Sequence, residues 1–210
     1  AHVQVMQDAL DAQLPRHTVL AIGLASVLTY CHVQDWRFRQ ALTLGNIAMH
    51  VHPLANADKA AVFLRLHQGF AALASTSLAQ ATDYIVDAQQ LALRHGHALS
   101  YEVLSTQMMR AVLHVENNEP ELAMALLEPA LRHVRNINGW LTLHAEAFWV
   151  AADIAGQLQG LDAAERYISA GEAYAHERGW PRLLVLMQVA RIRQLTAAGQ
   201  WRQAMALSQS

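Results

Sequence analysis

Twelve histidines are the side chains of this 210-residue sequence that are best suited to bind a metal ion. The closest pairs are His50 with His52 and His95 with His97, and both lie near the ends of predicted helices. Two residues apart on a helix, side chains point about 200° apart and cannot share one ion. No cysteine or carboxylate cluster completes either pair. We therefore expect neither a metal nor a cofactor, and interpret these histidines as solvated groups at helix C-termini, where the dipole favours a cation.

Glu146 and Asp153 are the carboxylates whose spacing could support acid–base chemistry, because residues seven apart share one helix face. No serine lies on a nucleophile-elbow pattern, and no nucleophile accompanies the two carboxylates. The net charge is −2 and the fifteen basic residues are dispersed. Neighbouring arginines such as Arg191 and Arg193 are therefore interpreted as solvated or salt-bridged. We expect a protein that is not an enzyme and does not bind nucleic acid directly.

Trp149 is the aromatic residue that best fits a binding site, since it lies mid-helix on the face opposite small residues such as Ala152. Glu146, Asp153 and Gln157 lie at helical spacing from Trp149, so the four residues form one continuous stripe along the helix. An aromatic floor with a few convergent polar groups is typical of small-molecule sites. The predicted ligand-binding residues, on the inner face of a helical array, are Phe70, Met108, Glu146, Trp149, Asp153, Gln157 and Arg193.

Packing alone is the alternative interpretation of these residues. Asp153 and Arg193 would then pair across adjacent helices, and Phe70 and Met108 would belong to the core. Packing is also the expected role of four tryptophans at turns or helix starts, where a large amphipathic ring can wedge adjacent hairpins. These are Trp36, Trp140, Trp180 and Trp201.

An internal repeat supplies the elements that would position these residues. Alanines recur in steps of 40, 42, 41 and 40 residues, at Ala41, Ala81, Ala123, Ala164 and Ala204. A small residue follows each of the first four after seven residues, and a helix-ending Asn or Gly follows after fifteen. This agreement indicates helical hairpins with a period of about 41 residues. We expect the alanines to be buried where the second helix of each hairpin crosses close to the first.

Composition agrees with an all-α class, because 53% of residues are hydrophobic and strand-like alternation is scarce. Helix pairs stacked in a row form a right-handed superhelical solenoid of antiparallel pairs. The single cysteine, Cys31, is interpreted as a buried thiol in a reducing compartment. No apolar run approaches the roughly 20 residues of a membrane span, and no signal peptide opens the chain. We expect a soluble, cytoplasmic protein.

The repeat divides the sequence into hairpins of one solenoid, residues 1–210, which we expect to be cut from a longer chain. Residues 1–14 would be the second helix of a truncated pair, and residues 181–210 a truncated last pair. Complete pairs are predicted at 18–53, 57–96, 98–138 and 140–179.

The segment Gly199 to Ala204, GQWRQA, resembles the turn and second-helix start of a tetratricopeptide repeat, although that family has a period of about 34 residues. Together with the longer period, ISAGEAYAHERGWPRLLVLMQVARIRQLTAAGQWRQA from Ile168 to Ala204 resembles the tetratricopeptide-like sensor region of large ATP-dependent LuxR-type (MalT-like) transcription activators. In that family an ATPase precedes the solenoid and a LuxR-type helix-turn-helix follows it. This sequence contains neither a phosphate-loop motif nor a basic recognition helix after the last repeat.

The resemblance covers most of the chain and implies an effector-sensing module. Its inner surface would bind a small-molecule inducer or a regulatory protein and relay the signal to ATPase and DNA-binding domains that this sequence lacks. The alternative is a tetratricopeptide-type scaffold that holds a peptide or partner protein in its groove. The single lysine, Lys59, argues against a carboxylate-clamp groove but leaves a hydrophobic one open. Self-association is compatible with either.

Overall fold

The computed structural model of the chain describes residues 2–13, 17–52, 58–75, 77–95, 100–133 and 141–209. Within these ranges the chain forms eleven α-helices and no strand, which confirms the all-α class. The helices are α1 (His2–Gln13), α2 (Thr18–Gln34), α3 (Phe38–Val51), α4 (Asp58–Ser75), α5 (Leu78–His95), α6 (Tyr101–Glu116), α7 (Pro120–His133), α8 (Leu141–Gln159), α9 (Leu161–Arg178), α10 (Pro181–Ala197) and α11 (Trp201–Ser208).

The chain divides into two compact units, Ala1–Met109 and Arg110–Ser210, called the first and second unit below, and the division falls within α6. In the first unit, α4 packs against α5, α2 and α3, and α1 packs against α2. In the second unit, α9 packs against α8, α10 packs against both, and α11 packs against α10. Packing between consecutive helices is compatible with a helical repeat. The right-handed superhelix and its regular period stay predictions.

The repeat alanines lie at the positions that the sequence predicts for them. Each of α3, α5, α7, α9 and α11 begins three residues before one of these alanines. The first four alanines are completely buried, and Ala204 is 5% exposed. The small residues two turns later are buried as well; they are Ala48, Ala88, Ala130 and Gly171. The expected burial of the repeat alanines is therefore confirmed.

Four turns between helices share one backbone geometry. Trp36, Asn118, Gly179 and Gly199 have φ angles of 59°, 60°, 65° and 73°. In each turn the N–H of this residue donates to the carbonyl three residues earlier, and the next N–H donates to the carbonyl five residues earlier. These bonds satisfy carbonyls that the ending helix leaves open. Each following helix then begins two residues after the left-handed residue.

The prediction that turn tryptophans wedge adjacent hairpins is wrong for Trp36 and Trp201, which are 80% and 63% exposed. Trp36 occupies the left-handed position of a surface turn, where solvent surrounds most of the ring. Trp180 does pack as expected, with its ring edge-on to Tyr174 at a centroid distance of 5.7 Å. Trp140 lies outside the described residues.

Cys31, interpreted from sequence as a buried thiol, is only partly buried, and this burial raises the pKa of its thiol above the ordinary value. A raised pKa lowers the thiolate population and so disfavours nucleophilic chemistry.

None of the described helices is both long and apolar enough to cross a membrane.

Replacing Ala123 by leucine should overpack the contact between a second helix and its neighbours, because the alanine side chain is completely buried. We expect Ala123→Leu to lower the free energy of unfolding by about 1–3 kcal/mol in urea denaturation. Ala125→Leu is the matched control, since Ala125 is exposed on the same helix. Equal stability of the two variants would contradict the buried-alanine register.

Replacing Trp36 by asparagine should stabilise the chain by about 1 kcal/mol, since a bulky side chain at positive φ is strained whereas asparagine tolerates this conformation. Asparagine already occupies the equivalent turn position at Asn118. Urea unfolding measures the difference, and Trp201→Asn, at another exposed tryptophan, should give no gain. A Trp36→Asn variant that is no more stable than the parent chain would show that the turn is not strained.

Candidate functional site

An open cavity of about 430 Å³ lies in the second unit, a volume within the range of small-molecule sites. It is bordered by the C-terminal halves of α8 and α10 and by the turns at Gly160 and Ala198. The bordering residues are Asp153, Gly156, Gln157, Gly160, Leu161, Arg193, Gln194, Ala197 and Ala198. Three of them, Asp153, Gln157 and Arg193, belong to the set predicted from sequence.

A hydrophobic cluster between α8, α9 and α10 fixes the helices that border this cavity. Phe148 of α8, Ile168 of α9 and Met187 of α10 are among its buried members. Gly171 permits the close approach, because a Cβ atom at that position would lie 2.4 Å from the Met187 sulfur. Trp149 follows Phe148 in the chain and packs against the cluster from a partly buried position.

Arg191 ties α10 to α9 through two carboxylates. Its Nε donates to Oε2 of Glu165 at 2.9 Å, and its Nη1 donates to Oε1 of Glu172 at 2.6 Å. The hydrogen bonds from Arg191 lower the pKa of Glu165, and the bonds to both carboxylates raise the pKa of Arg191. Arg193 lies two residues further along the helix, so its side chain diverges from that of Arg191 and reaches α8 instead.

Asp153 is the point on which the polar groups of the site converge. Trp149 lies one helical turn earlier on α8, and its indole Nε1 donates to Oδ2 of Asp153 at 3.0 Å. Nη2 of Arg193 lies 3.1 Å from the same oxygen. The Arg193 guanidinium carbon also lies 4.9 Å from the centre of the Trp149 ring, within the range of a cation–π contact. One carboxylate, one guanidinium and one indole therefore form a closed set of contacts at the cavity edge.

Gln194 of α10 donates a further hydrogen bond to Asp153. Its Nε2 donates to Oδ1 of Asp153 at 2.6 Å, and the side chain is 9% exposed. Gly156 provides the space for this amide, because a Cβ atom there would lie 2.1 Å from Oε1 of Gln194. A glycine inside a helix costs up to about 1 kcal/mol relative to alanine, and a side chain at this position would displace the Gln194 amide.

Burial is the main influence on the pKa of Asp153. Burial raises the pKa of the Asp153 carboxyl above the ordinary value, while Arg193 and the hydrogen bonds from Trp149 and Gln194 act in the opposite direction. The pKa remains raised, so these three groups do not fully replace the hydration that the carboxylate loses. Arg193 is 55% exposed, and solvent screens its charge.

The other residues predicted for the site are placed as follows. Gln157 is exposed and borders the cavity. Phe70 and Met108 belong to the first unit, where Phe70 is partly buried and Met108 is 4% exposed. The side chain of Glu146 lies outside the described part of the structure. The ion pair of Asp153 with Arg193 and the burial of Met108 are features that the packing alternative predicted.

Sequence reasoning missed Gln194 and Gly156. Gln194 had no distinguishing pattern, because one polar residue near a helix end is unremarkable by itself. Gly156 carried a usable signal, since a glycine within a predicted helix indicates close contact with a neighbouring group. Among the described residues, no three or more His, Cys, Asp or Glu side chains are grouped so as to hold a metal ion.

Comparisons with known proteins assign no family to the chain. No protein-family model matches it, and neither a curated protein nor a solved structure does.

Proposed function

We propose that this chain is the effector-sensing module of a LuxR-type (MalT-like) transcription activator and that its second unit binds a small-molecule inducer at the cavity beside Trp149. The observation that carries the proposal is the convergence of Trp149, Arg193 and Gln194 on the Asp153 carboxylate, at the edge of that cavity. The sequence resemblance supplies the biological setting. The inner face of a right-handed solenoid with a period of about 41 residues would hold the site in the cytoplasm.

The polar groups of the site suit recognition of a ligand. Gln157 presents an exposed amide, while Asp153 and Arg193 offer both signs of charge. Trp149 is not one of the residues that border the cavity, and it adjoins the cavity through its contacts with Asp153 and Arg193. Small residues at Gly156 and Ala197 leave room beside them. Sites that combine an apolar floor with a few oriented polar groups bind small molecules through shape and hydrogen bonding together.

A scaffold that binds a partner protein is the second candidate, and one observation in the second unit favours it. Val185 and Val189 are exposed one turn apart on α10, and Met205 is exposed on α11. Exposed apolar side chains that share one helix face, as Val185 and Val189 do, are typical of protein contacts. A regulatory protein or a second copy of the chain could cover such residues.

Ligand-dependent melting of the chain tests the sensing proposal. A panel of neutral, anionic and cationic metabolites of fewer than about fifteen heavy atoms is added, and the melting temperature is followed by circular dichroism. A ligand present at ten times its Kd adds about 1.4 kcal/mol to the stability of the folded state. For a chain of this size we expect a rise in melting temperature of about 3–6 °C.

A matched pair of variants ties the melting shift to the cavity. Ala197→Trp places a large ring at the cavity wall and should abolish the shift, because Ala197 borders the cavity and is exposed. Ala173→Trp introduces the same ring at an exposed position of α9 outside the cavity lining and should preserve the shift. The proposal is wrong if no compound stabilises the chain, or if Ala197→Trp responds as the parent does.

A further inference from the structure

Two arginines on α10 differ sharply in how firmly they are held. Arg191 contacts two carboxylates, Glu165 and Glu172, and its side chain is 23% exposed. Among the described side chains, Arg193 contacts a single carboxylate, that of Asp153, and its own side chain is 55% exposed. The guanidinium of Arg193 therefore has fewer and more solvated contacts, so its release costs less free energy than release of Arg191.

The groups that Arg193 touches form a recognition site for a positive charge. Its guanidinium lies against the face of the Trp149 ring, which attracts cations through the electron-rich face. Its Nη2 meets Oδ2 of Asp153, whose orientation is fixed by the Trp149 indole N–H and the Gln194 amide. Both partners of the cation are thus held in place by contacts that do not involve Arg193.

The charge of the cavity favours a cation over an anion. Of the described residues that border it, the charged ones are Asp153 and Arg193, which together are neutral. When the Arg193 side chain swings into solvent, the partly buried Asp153 carboxylate remains and requires a positive partner. An anion that paired with Arg193 would have to lie beside this same carboxylate and would be repelled by it.

We propose that the Trp149–Asp153 pair is a binding site for a small organic cation, a guanidinium or primary ammonium compound, and that Arg193 occupies this site as an internal substitute until the ligand displaces it. This inference rests on the proposed function, because it names the ligand class of the same cavity. The cationic end replaces the Arg193 guanidinium on the Trp149 ring, and the rest of the ligand lies in the cavity beside Gln157 and Ala197.

Ethylguanidinium, the head group of arginine on a short stem, is the probe that tests displacement. N-ethylurea is its neutral control of nearly equal shape, and propionate is the anionic control. Binding is followed through the NMR signal of the Trp149 indole N–H, which is identified by its loss in Trp149→Phe. In the parent chain we expect a saturable shift with a Kd in the millimolar range for ethylguanidinium and none for N-ethylurea.

Removal of the internal occupant should strengthen binding. We expect Arg193→Ala to lower the Kd for ethylguanidinium by about tenfold, because the ligand no longer competes with a tethered guanidinium. Arg202→Ala, which removes another exposed arginine, should leave the Kd unchanged. Adding Asp153→Asn to Arg193→Ala should abolish the shift, provided that circular dichroism shows the variant to be folded.

Three outcomes would overturn the inference. The first is a folded Arg193→Ala variant whose Trp149 signal does not respond to ethylguanidinium. The second is a parent chain that never responds while the variant does, since the Arg193 contact would then be permanent. The third is saturable binding of propionate in place of the cation, which would leave the sensing proposal intact. Failure of the whole metabolite panel, by contrast, would remove the sensing proposal itself.

Discussion

The close approach of α9 to its neighbours is the constraint on which the second unit depends. A Cβ atom at Gly171 would lie 3.2 Å from the Phe148 Cβ and 2.4 Å from the Met187 sulfur. The absence of a side chain at Gly171 lets α8, α9 and α10 approach closely enough to bury the aromatic and aliphatic side chains between them. Gly156 in turn leaves space for the Gln194 amide, so both the packing of the helices and the geometry of the site depend on glycines.

The two arginines of α10 have different roles. Arg191 stabilises the packing of the helices, and Arg193 belongs to the proposed binding site. Arg191 lies between two glutamates of α9 and strengthens a contact that the hydrophobic cluster already makes. Arg193 faces one partly buried carboxylate and one indole ring from a position that is open to solvent. A partly buried Asp153 costs free energy unless a cation accompanies it. The chain supplies that cation from a flexible side chain, which other cations can replace.

Periodic features of the fold could be predicted from the sequence, and features that depend on single contacts could not. Ala123 and Ala164 were predicted to be buried because their spacing repeats and each repeat must bury the same face. Asp153 and Arg193 could be brought together because equivalent repeat positions lie on adjacent helices. Gln194 was not predicted, since its hydrogen bond to Asp153 depends on the space beside Gly156. Trp36 was misjudged because exposure in a turn follows from backbone conformation, which hydrophobicity does not encode.

A sensor requires two states that its ligand distinguishes, because a ligand with equal affinity for both shifts no equilibrium. On the cation proposal, those states differ in whether Arg193 or the ligand lies on Trp149 and Asp153. The change is confined to the last turns of α10, since Arg191 and the hydrophobic cluster hold the preceding turns against α9. Ala197 and Ala198 lie about one helical turn after Arg193 and lead into the left-handed turn at Gly199. The start of α11 is therefore the nearest element to which displacement of Arg193 can be transmitted through the backbone.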